Sequence, residues 1–317
     1  MYYIGIDIGG TTIKGGIVEK DGTIVYKSSI PTVPDAGCEL FAKSVADFCV
    51  QLTKEANISM DSVISVGMGI PGTVEGKTGT VIYSNNIDLK NAPIVKEFQR
   101  YIDKPVYIDN DANCAALGEY FALNDSSIKD FVAVTLGTGV GGGIVIDGKL
   151  FSGFGGGGGE LGHMVIAMDG EECTCGRCGC WEAYASATAL VRQAQKAAKE
   201  NPESLLFERI EENDGRANGK IVWDTAKDGD ATAKDVTAKY ALYVAQGVVN
   251  IVNIFRPEVI AIGGGVSRAG DALLEPVKKY VSEKHYGVGF SKPSDIVIAK
   301  LGNDAGIVGA AFLGRSC

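Results

Sequence analysis

Two stretches decide how this chain is read: residues 4–22, IGIDIGGTTIKGGIVEKDG, and residues 132–148, VAVTLGTGVGGGIVIDG. Each runs through an apolar strand, a Gly/Thr turn, a second strand and an Asp-Gly turn, the pattern of an antiparallel hairpin. The same plan twice in one chain is an internal duplication. It predicts two related domains, each opening with a hairpin around a polar glycine turn. The length of 317 residues agrees, since a single core rarely grows that large.

Working outward, residues 38–56 carry Leu40, Phe41, Val45, Phe48, Cys49 and Leu52 at helical spacing. VISVGMGIPG (63–72) reads as a buried strand entering a Gly-Pro-Gly loop, and PVYIDNDANCAALGEYFAL (105–123) as strand, polar turn and helix. Helical patterns follow at 182–200, 203–211 and 231–254, with EENDGRANGK (211–220) as a surface loop. EVIAIGGGVS (258–267) is a strand with a glycine turn, DIVIAKL (295–301) a further strand, and DAGIVGAAFLG (304–314) a closing helix of small residues.

The net charge of −9 without a basic run makes a poor ligand for nucleic acid or a membrane surface. No apolar run reaches membrane-spanning length. The chain opens directly on a strand pattern at Tyr2, with no signal-peptide pattern, so a cytoplasmic location is expected. In that reducing compartment the scattered cysteines 38, 49, 114 and 317 read as free thiols.

Glycine, at 43 residues, is about twice its average share and clusters in turns, which suggests close backbone approach to a ligand. GTGVGG (137–142) matches G-x-G-x-x-G, but a strand follows where a dinucleotide site needs a helix. Gly72–Thr78 is one residue short of a Walker A loop and also lacks the helix. What remains is two phosphate-sized turns inside hairpins, Asp7–Lys14 and Leu136–Gly143, and a third at Gly263–Gly265. Backbone N–H groups in such turns form concave anion sites. Asp7, beside the first turn, can hold a hydrated Mg²⁺ on a triphosphate. In IDNDAN (108–113) one residue is explained as a helix cap; a carboxylate there can accept a proton from a hydroxyl attacking phosphorus.

Residues 159–184, GELGHMVIAMDGEECTCGRCGCWEAY, hold four of the eight cysteines and one of the two histidines. Cys173, Cys175 and Cys180 are spaced closely enough to close around one ion, and His163 completes a tetrahedral structural Zn²⁺ set with no open position. Cys178 is a further ligand candidate in the same loop. Disulfides conflict with the compartment, a classical finger lacks its paired arms and basic face, and an iron–sulfur cluster fits less well with a histidine among the ligands. Glu160, His163 and Glu182 bracket the loop and suit recognition of sugar hydroxyls.

Taken together, DIGGTTIKGG, IDNDAN, LGTGVGGG, GELGHM, CTCGRCGCWE and IGGGV, in this order, resemble the ROK family (repressors, open reading frames, kinases) over essentially the whole chain. The resemblance implies an α/β, actin-like or hexokinase-like fold: two duplicated ribonuclease-H-like domains with an interdomain cleft. The smaller domain would comprise residues 1–118 plus 304–317, and the larger, with the zinc loop, 119–303. It implies ATP-dependent phosphorylation of a hexose at the 6-hydroxyl, with glucose foremost and N-acetylmannosamine, N-acetylglucosamine, allose or fructose as alternatives. Asp111 would be the catalytic base; Gly69, Gly72, Asn86, Asn110, Glu160, His163 and Glu182 would bind the sugar. Asp7, Gly10, Thr11, Thr12 and Lys14 would form the first phosphate loop, Gly137, Thr138 and Gly139 the second, and Gly264 and Gly265 the adenosine site. A homodimer is expected from the family. A sugar-sensing repressor of the same family is disfavoured, because the first strand at Tyr2 leaves no room for a preceding DNA-binding helix pair.

Overall fold

The computed structural model describes residues 1–33, 37–84 and 86–315; Cys317 lies outside them. The chain forms two compact units. One comprises Met1–Ala133, Gly142–Gly159 and Lys300–Cys317, the other Val134–Gly141 and Glu160–Ala299.

In the first unit the opening hairpin extends into a five-stranded sheet ordered Ile24–Pro31, Thr12–Glu19, Tyr2–Ile8, Val63–Ile70, Val106–Asn110. The first three strands pair antiparallel and the last three parallel. The register sets Asp7 opposite Gly69, and Gly69 opposite Asp109. That row lies at the carboxyl ends of three parallel strands, where open α/β sheets bind ligands. Ile4, Ile6, Ile8, Ile13 and Met68 pack into one core with Phe41, Val45, Phe48, Cys49 and Leu52 of the helix Gly37–Glu55. Leu40, expected on the same face, is 62% exposed; it precedes Phe41 by one residue, about 100° around a helix from it.

The helix Asp111–Ala122 starts at once, without the expected polar turn: Asn110 ends the strand and caps the helix. The helix Ala305–Phe312 is buried throughout. It approaches the sheet so closely that a Cβ at Gly5 would stand 1.9 Å from Ile307 O, and one at Gly67 1.7 Å from Ala310 O. Small residues on both sides are therefore a packing requirement. A small antiparallel sheet of Thr73–Glu75, Thr80–Ser84 and Leu89–Ala92 follows Gly72, so this segment is a hairpin rather than a phosphate loop.

The second large sheet is ordered Lys149–Leu150, Val140–Ile146, Phe131–Leu136, Val259–Gly263, Asp295–Ile298. In both sheets the chain order is third, second, first, fourth, fifth, the duplication expected from the two hairpins.

The second unit is mainly helical: Glu182–Ala185, Ala187–Glu200, Leu205–Glu212, Gly219–Lys227, Ala231–Phe255 and Asp271–Lys284. The sequence reading assigned no element to Gly219–Lys227 or Asp271–Lys284, and it placed Gly219 and Lys220 in a loop. Asn218 accounts for the former helix, since its Oδ1 accepts from Ile221 N at 2.9 Å, an ordinary N-cap. Trp181 is fully buried. A Cβ at Gly247 would stand 2.0 Å from its indole, so the long helix is notched to admit the ring, whose Nε1 donates to Tyr243 O at 2.8 Å. Among the described residues no helix is long and apolar enough to cross a membrane.

Candidate active site

In the first unit the site residues gather at the carboxyl end of the sheet. Asn110 Oδ1 accepts from Ala112 N at 2.9 Å and Asn113 N at 3.2 Å, and its Nδ2 donates to Gly72 O at 3.0 Å. This holds the start of the helix, and Asp111 with it, against the Gly72 loop. Gly72 is at φ +109°, and a Cβ there would meet Tyr83 O at 2.2 Å, so only glycine fits. A Cβ at Gly69 would lie 3.4 Å from Asp111 Cα, which puts the base candidate directly beside that strand.

Asp7 faces the same place. Burial pushes its carboxyl above the usual range, Lys14 opposes the shift, and the charge of Asp111 adds to it. The Lys14 ammonium lies 3.9 Å from Asp7 Oδ2. Two carboxylates that sense each other, one of them costly to ionise, suit a cation. The first glycine turn is closed by Gly9 N donating to Thr12 O and Thr32 N to Thr11 O, both at 3.0 Å. Gly10 lies against Asn86: a Cβ there would be 3.4 Å from Asn86 Cβ.

Asp109 was missed by sequence reasoning. Its Oδ1 accepts from Asn110 N at 2.7 Å and Asn113 Nδ2 at 2.8 Å, and its Oδ2 from Ser152 Oγ at 2.9 Å. Burial raises its pKa while these donors oppose the rise. It orders the strand-to-helix junction that carries Asn110 and Asp111. The only signal was the density of polar residues in IDNDAN.

The second unit holds the remaining candidates. Its glycine turn, Gly137–Gly139, is fastened to the helix Ala187–Glu200: Ala187 N and Thr188 Oγ1 donate to Gly137 O and Thr138 O, both at 2.8 Å. Glu182 joins this turn to the cysteine loop. Its Oε2 accepts from Val140 N at 3.0 Å, while Oε1 lies 3.4 Å from Thr174 Oγ1 and 3.7 Å from Cys173 Sγ. A Cβ at Gly162 would meet Val140 O at 2.1 Å, so the GELGHM segment also packs on that turn. Glu160, exposed, precedes the short 3₁₀ turn Leu161–His163 and makes no cap hydrogen bond with its side chain.

One donor atom from each of His163, Cys173, Cys175 and Cys180 lies within 4.8 Å of all the others. His163 Nδ1 faces Cys173 Sγ at 3.7 Å, and Cys175 and Cys180 sulfurs are 3.6 Å apart. Burial pushes the Cys180 thiol up to about 12, whereas the Arg177 backbone N–H lowers Cys175. Three sulfurs and an imidazole nitrogen gathered this closely fit a thiolate-binding cation, and sulfur with imidazole suits zinc. Cys178 is exposed and stands outside the cluster.

Gly264, at φ +84°, would place a Cβ 2.4 Å from Leu136 O, which brings the third glycine turn against the second. Gly265 and Gly137 differ: a Cβ at either would meet nothing within 4 Å. Protein packing does not require glycine there, and open space beside these backbones leaves room for a ligand.

A family model described as "ROK family" matches residues 3–316. The glucokinase of Halalkalibacterium halodurans is 39% identical over 313 residues, covering 98% of this chain and 94% of that protein. The glucokinase of Streptomyces coelicolor is 36% identical over 316 residues, covering 98% and 97%. Among solved structures, a ROK family glucokinase from Streptomyces griseus in complex with glucose and AMPPNP matches with a TM-score of 0.81 at 35% identity, covering 100% of both chains.

Proposed function

Because the chain belongs to the ROK family and shares its actin-like, hexokinase-like fold, we propose that it phosphorylates a hexose at the 6-hydroxyl with ATP, and that the hexose is glucose. The glucokinase names of its relatives support this choice. The observation that carries the reading is the row Asp7–Gly69–Asp109 with Asp111 beside it. It sets a carboxylate next to a glycine turn and a second carboxylate next to that, at the ligand-binding end of a sheet.

In this reading Glu160, His163, Glu182, Asn86 and Asn110 hold the sugar hydroxyls, with Gly69 and Gly72 lining the same wall. Asp111 accepts the 6-hydroxyl proton as that oxygen bonds to the γ-phosphorus and the bond from phosphorus to the β-bridging oxygen breaks. ADP and hexose 6-phosphate result. Positioning supplies most of the rate in such transfers. The turns at Gly10–Lys14 and Gly137–Gly139 receive the phosphates, and Gly264–Gly265 the adenosine. Asp7 would hold Mg²⁺, which supplies positive charge to the triphosphate. His163, Cys173, Cys175 and Cys180 would hold Zn²⁺, which fixes the loop so that His163 presents its other ring nitrogen to the sugar. The reading includes a homodimer in a reducing cytoplasm.

An ADP-release assay across glucose, N-acetylmannosamine, N-acetylglucosamine, allose and fructose tests it. Glucose should give the highest kcat/KM. Preference for an N-acetylated sugar would move the chain to another ROK kinase activity, and silence with every hexose would refute the kinase.

A further inference from the structure

We propose that the glycine run at residues 152–159, SGFGGGGG, is a positioning loop for the base, and that Ser152 is the residue through which it acts on Asp111. The proposal deepens the kinase reading above and rests on it. No sugar or phosphate contact has been assigned to this run.

Five glycines in succession, Gly155–Gly159, read as slack chain. The fold makes them a docked loop instead. Gly158 N donates to Ser152 O at 2.9 Å and closes it. At that closure a Cβ at Gly153 would stand 2.8 Å from Gly158 Cα, and one at Gly158 2.9 Å from Gly153 Cα. Gly156, at φ +74°, would place a Cβ 1.9 Å from Val74 O. Only glycine permits such approaches. Ser152 is held from the sheet side as well, since Phe151 N donates to Ile144 O at 2.8 Å.

From this fixed root Ser152 Oγ donates to Asp109 Oδ2 at 2.9 Å. Among the described residues it is the one donor on that oxygen. The other oxygen, Oδ1, takes Asn110 N and Asn113 Nδ2, which lie on either side of Asp111 in the chain. The serine hydroxyl therefore sets the plane of the carboxylate, and the carboxylate sets the first turn of the helix Asp111–Ala122. The far end of the loop returns to the same turn: a Cβ at Gly159 would lie 3.6 Å from Asn113 Oδ1.

Without the hydroxyl, Asp109 Oδ2 is left in a part-buried place with no donor, which is costly, and the carboxylate is free to rotate. Asp111 then shifts. A base must lie within hydrogen-bond reach of the proton it takes, so the transfer slows while the groups that bind sugar and ATP keep their places.

Steady-state and single-turnover kinetics of Ser152→Ala, alone and combined with Asp111→Asn, test the proposal beside a thermal melt. Ser152→Ala should lower kcat about tenfold, less than the roughly 100-fold of a full ångström's misplacement. The KM for glucose and for ATP should stay within about twofold. In the Asp111→Asn background the same change should alter the single-turnover rate by less than about twofold, because the group it positions no longer acts as a base. A loss due only to general loosening would persist in both backgrounds. Ser152→Cys keeps the side chain's size and weakens its donor; it should lose kcat in the same direction, and it carries the test if Ser152→Ala fails to fold. Wild-type kcat in either folded variant, or an equal loss with and without the Asp111 carboxylate, would overturn the proposal. Failure of the kinase reading looks different: no ADP release from the wild-type chain with any hexose.

Discussion

Glu182 and Gly139 occupy mutually dependent places: a Cβ at Gly139 would stand 2.3 Å from Glu182 Oε2, the oxygen that accepts from Val140 N. The φ of Gly139 lies outside the left-handed region, so alanine brings no backbone penalty there and acts only on the carboxylate. Gly139→Ala should lower kcat/KM for the hexose by about 100-fold, the scale of an ångström's misplacement. Steady-state kinetics beside a thermal melt will check it; unchanged kinetics would mean that the seating of Glu182 is irrelevant.

Asp111→Asn keeps the side chain's shape and removes its basicity. Sugar binding should remain within about twofold while kcat falls by roughly 10²–10⁴, the range of a lost general base. Calorimetric titration with glucose and single-turnover kinetics separate the two effects, and substantial residual turnover would remove Asp111 from the role.

Asp7 ties activity to stability with a definite sign. Its pKa is raised in the fold, chiefly by burial, so folding favours the protonated form. That contribution is full below the ordinary carboxylate value, is lost as pH rises through the raised value, and is flat beyond. Asp7→Asn removes the loss. At neutral pH without Mg²⁺ the variant should be more stable than wild type and nearly inactive, the trade expected where a site is strained for function. Urea unfolding from about pH 4 to about pH 8 reads the difference; equal stability throughout would contradict the assignment.

Gly264 and Gly265 are neighbours with opposite requirements. Gly264→Ala meets both a positive φ and Leu136 O, and should cost ~2 kcal/mol or more. Gly265→Ala meets no protein atom within 4 Å, and should leave stability within about 0.5 kcal/mol while raising the KM for ATP several-fold. Denaturant curves and ATP titrations compare them. A Gly265→Ala enzyme with wild-type ATP kinetics would move the adenosine elsewhere.

Metal analysis should find one zinc and no iron per chain. Cys180→Ser should lose the metal and several kcal/mol of stability, since binding energy in such sites is folding energy. The KM for hexose should rise as His163 and Glu182 lose their footing. Cys178→Ser should retain the metal, because Cys178 stands outside the four-residue cluster. Iron, or full activity in a metal-free protein, would refute this account.

What could be read from the chain was local. The hairpins were legible because Asp-Gly and Gly/Thr turns act over a few residues, and the grouping of His163 with three cysteines because short spacings leave few other closures. Ser152 and Asp109 are 43 positions apart, and Val140 and Glu182 are 42; no spacing rule joins such pairs. The helix Gly219–Lys227 was hidden because Asn218 and Gly219 look alike as loop residues and as a cap with its first turn. Leu40 counted as core by its apolarity, but one position of rotation turned it to solvent. The glycines gave their number and their turns; which ones touch backbone and which face open space depends on strands that meet from distant parts of the chain.

Trp181 lies between the last cysteine of the cluster and Glu182, with its ring wedged into the notch at Gly247. The chain's other indole is Trp223. Replacing Trp223 with phenylalanine would leave a single fluorophore at the junction of thiols and carboxylate. Its emission would then follow metal uptake and sugar arrival in real time, with no added dye.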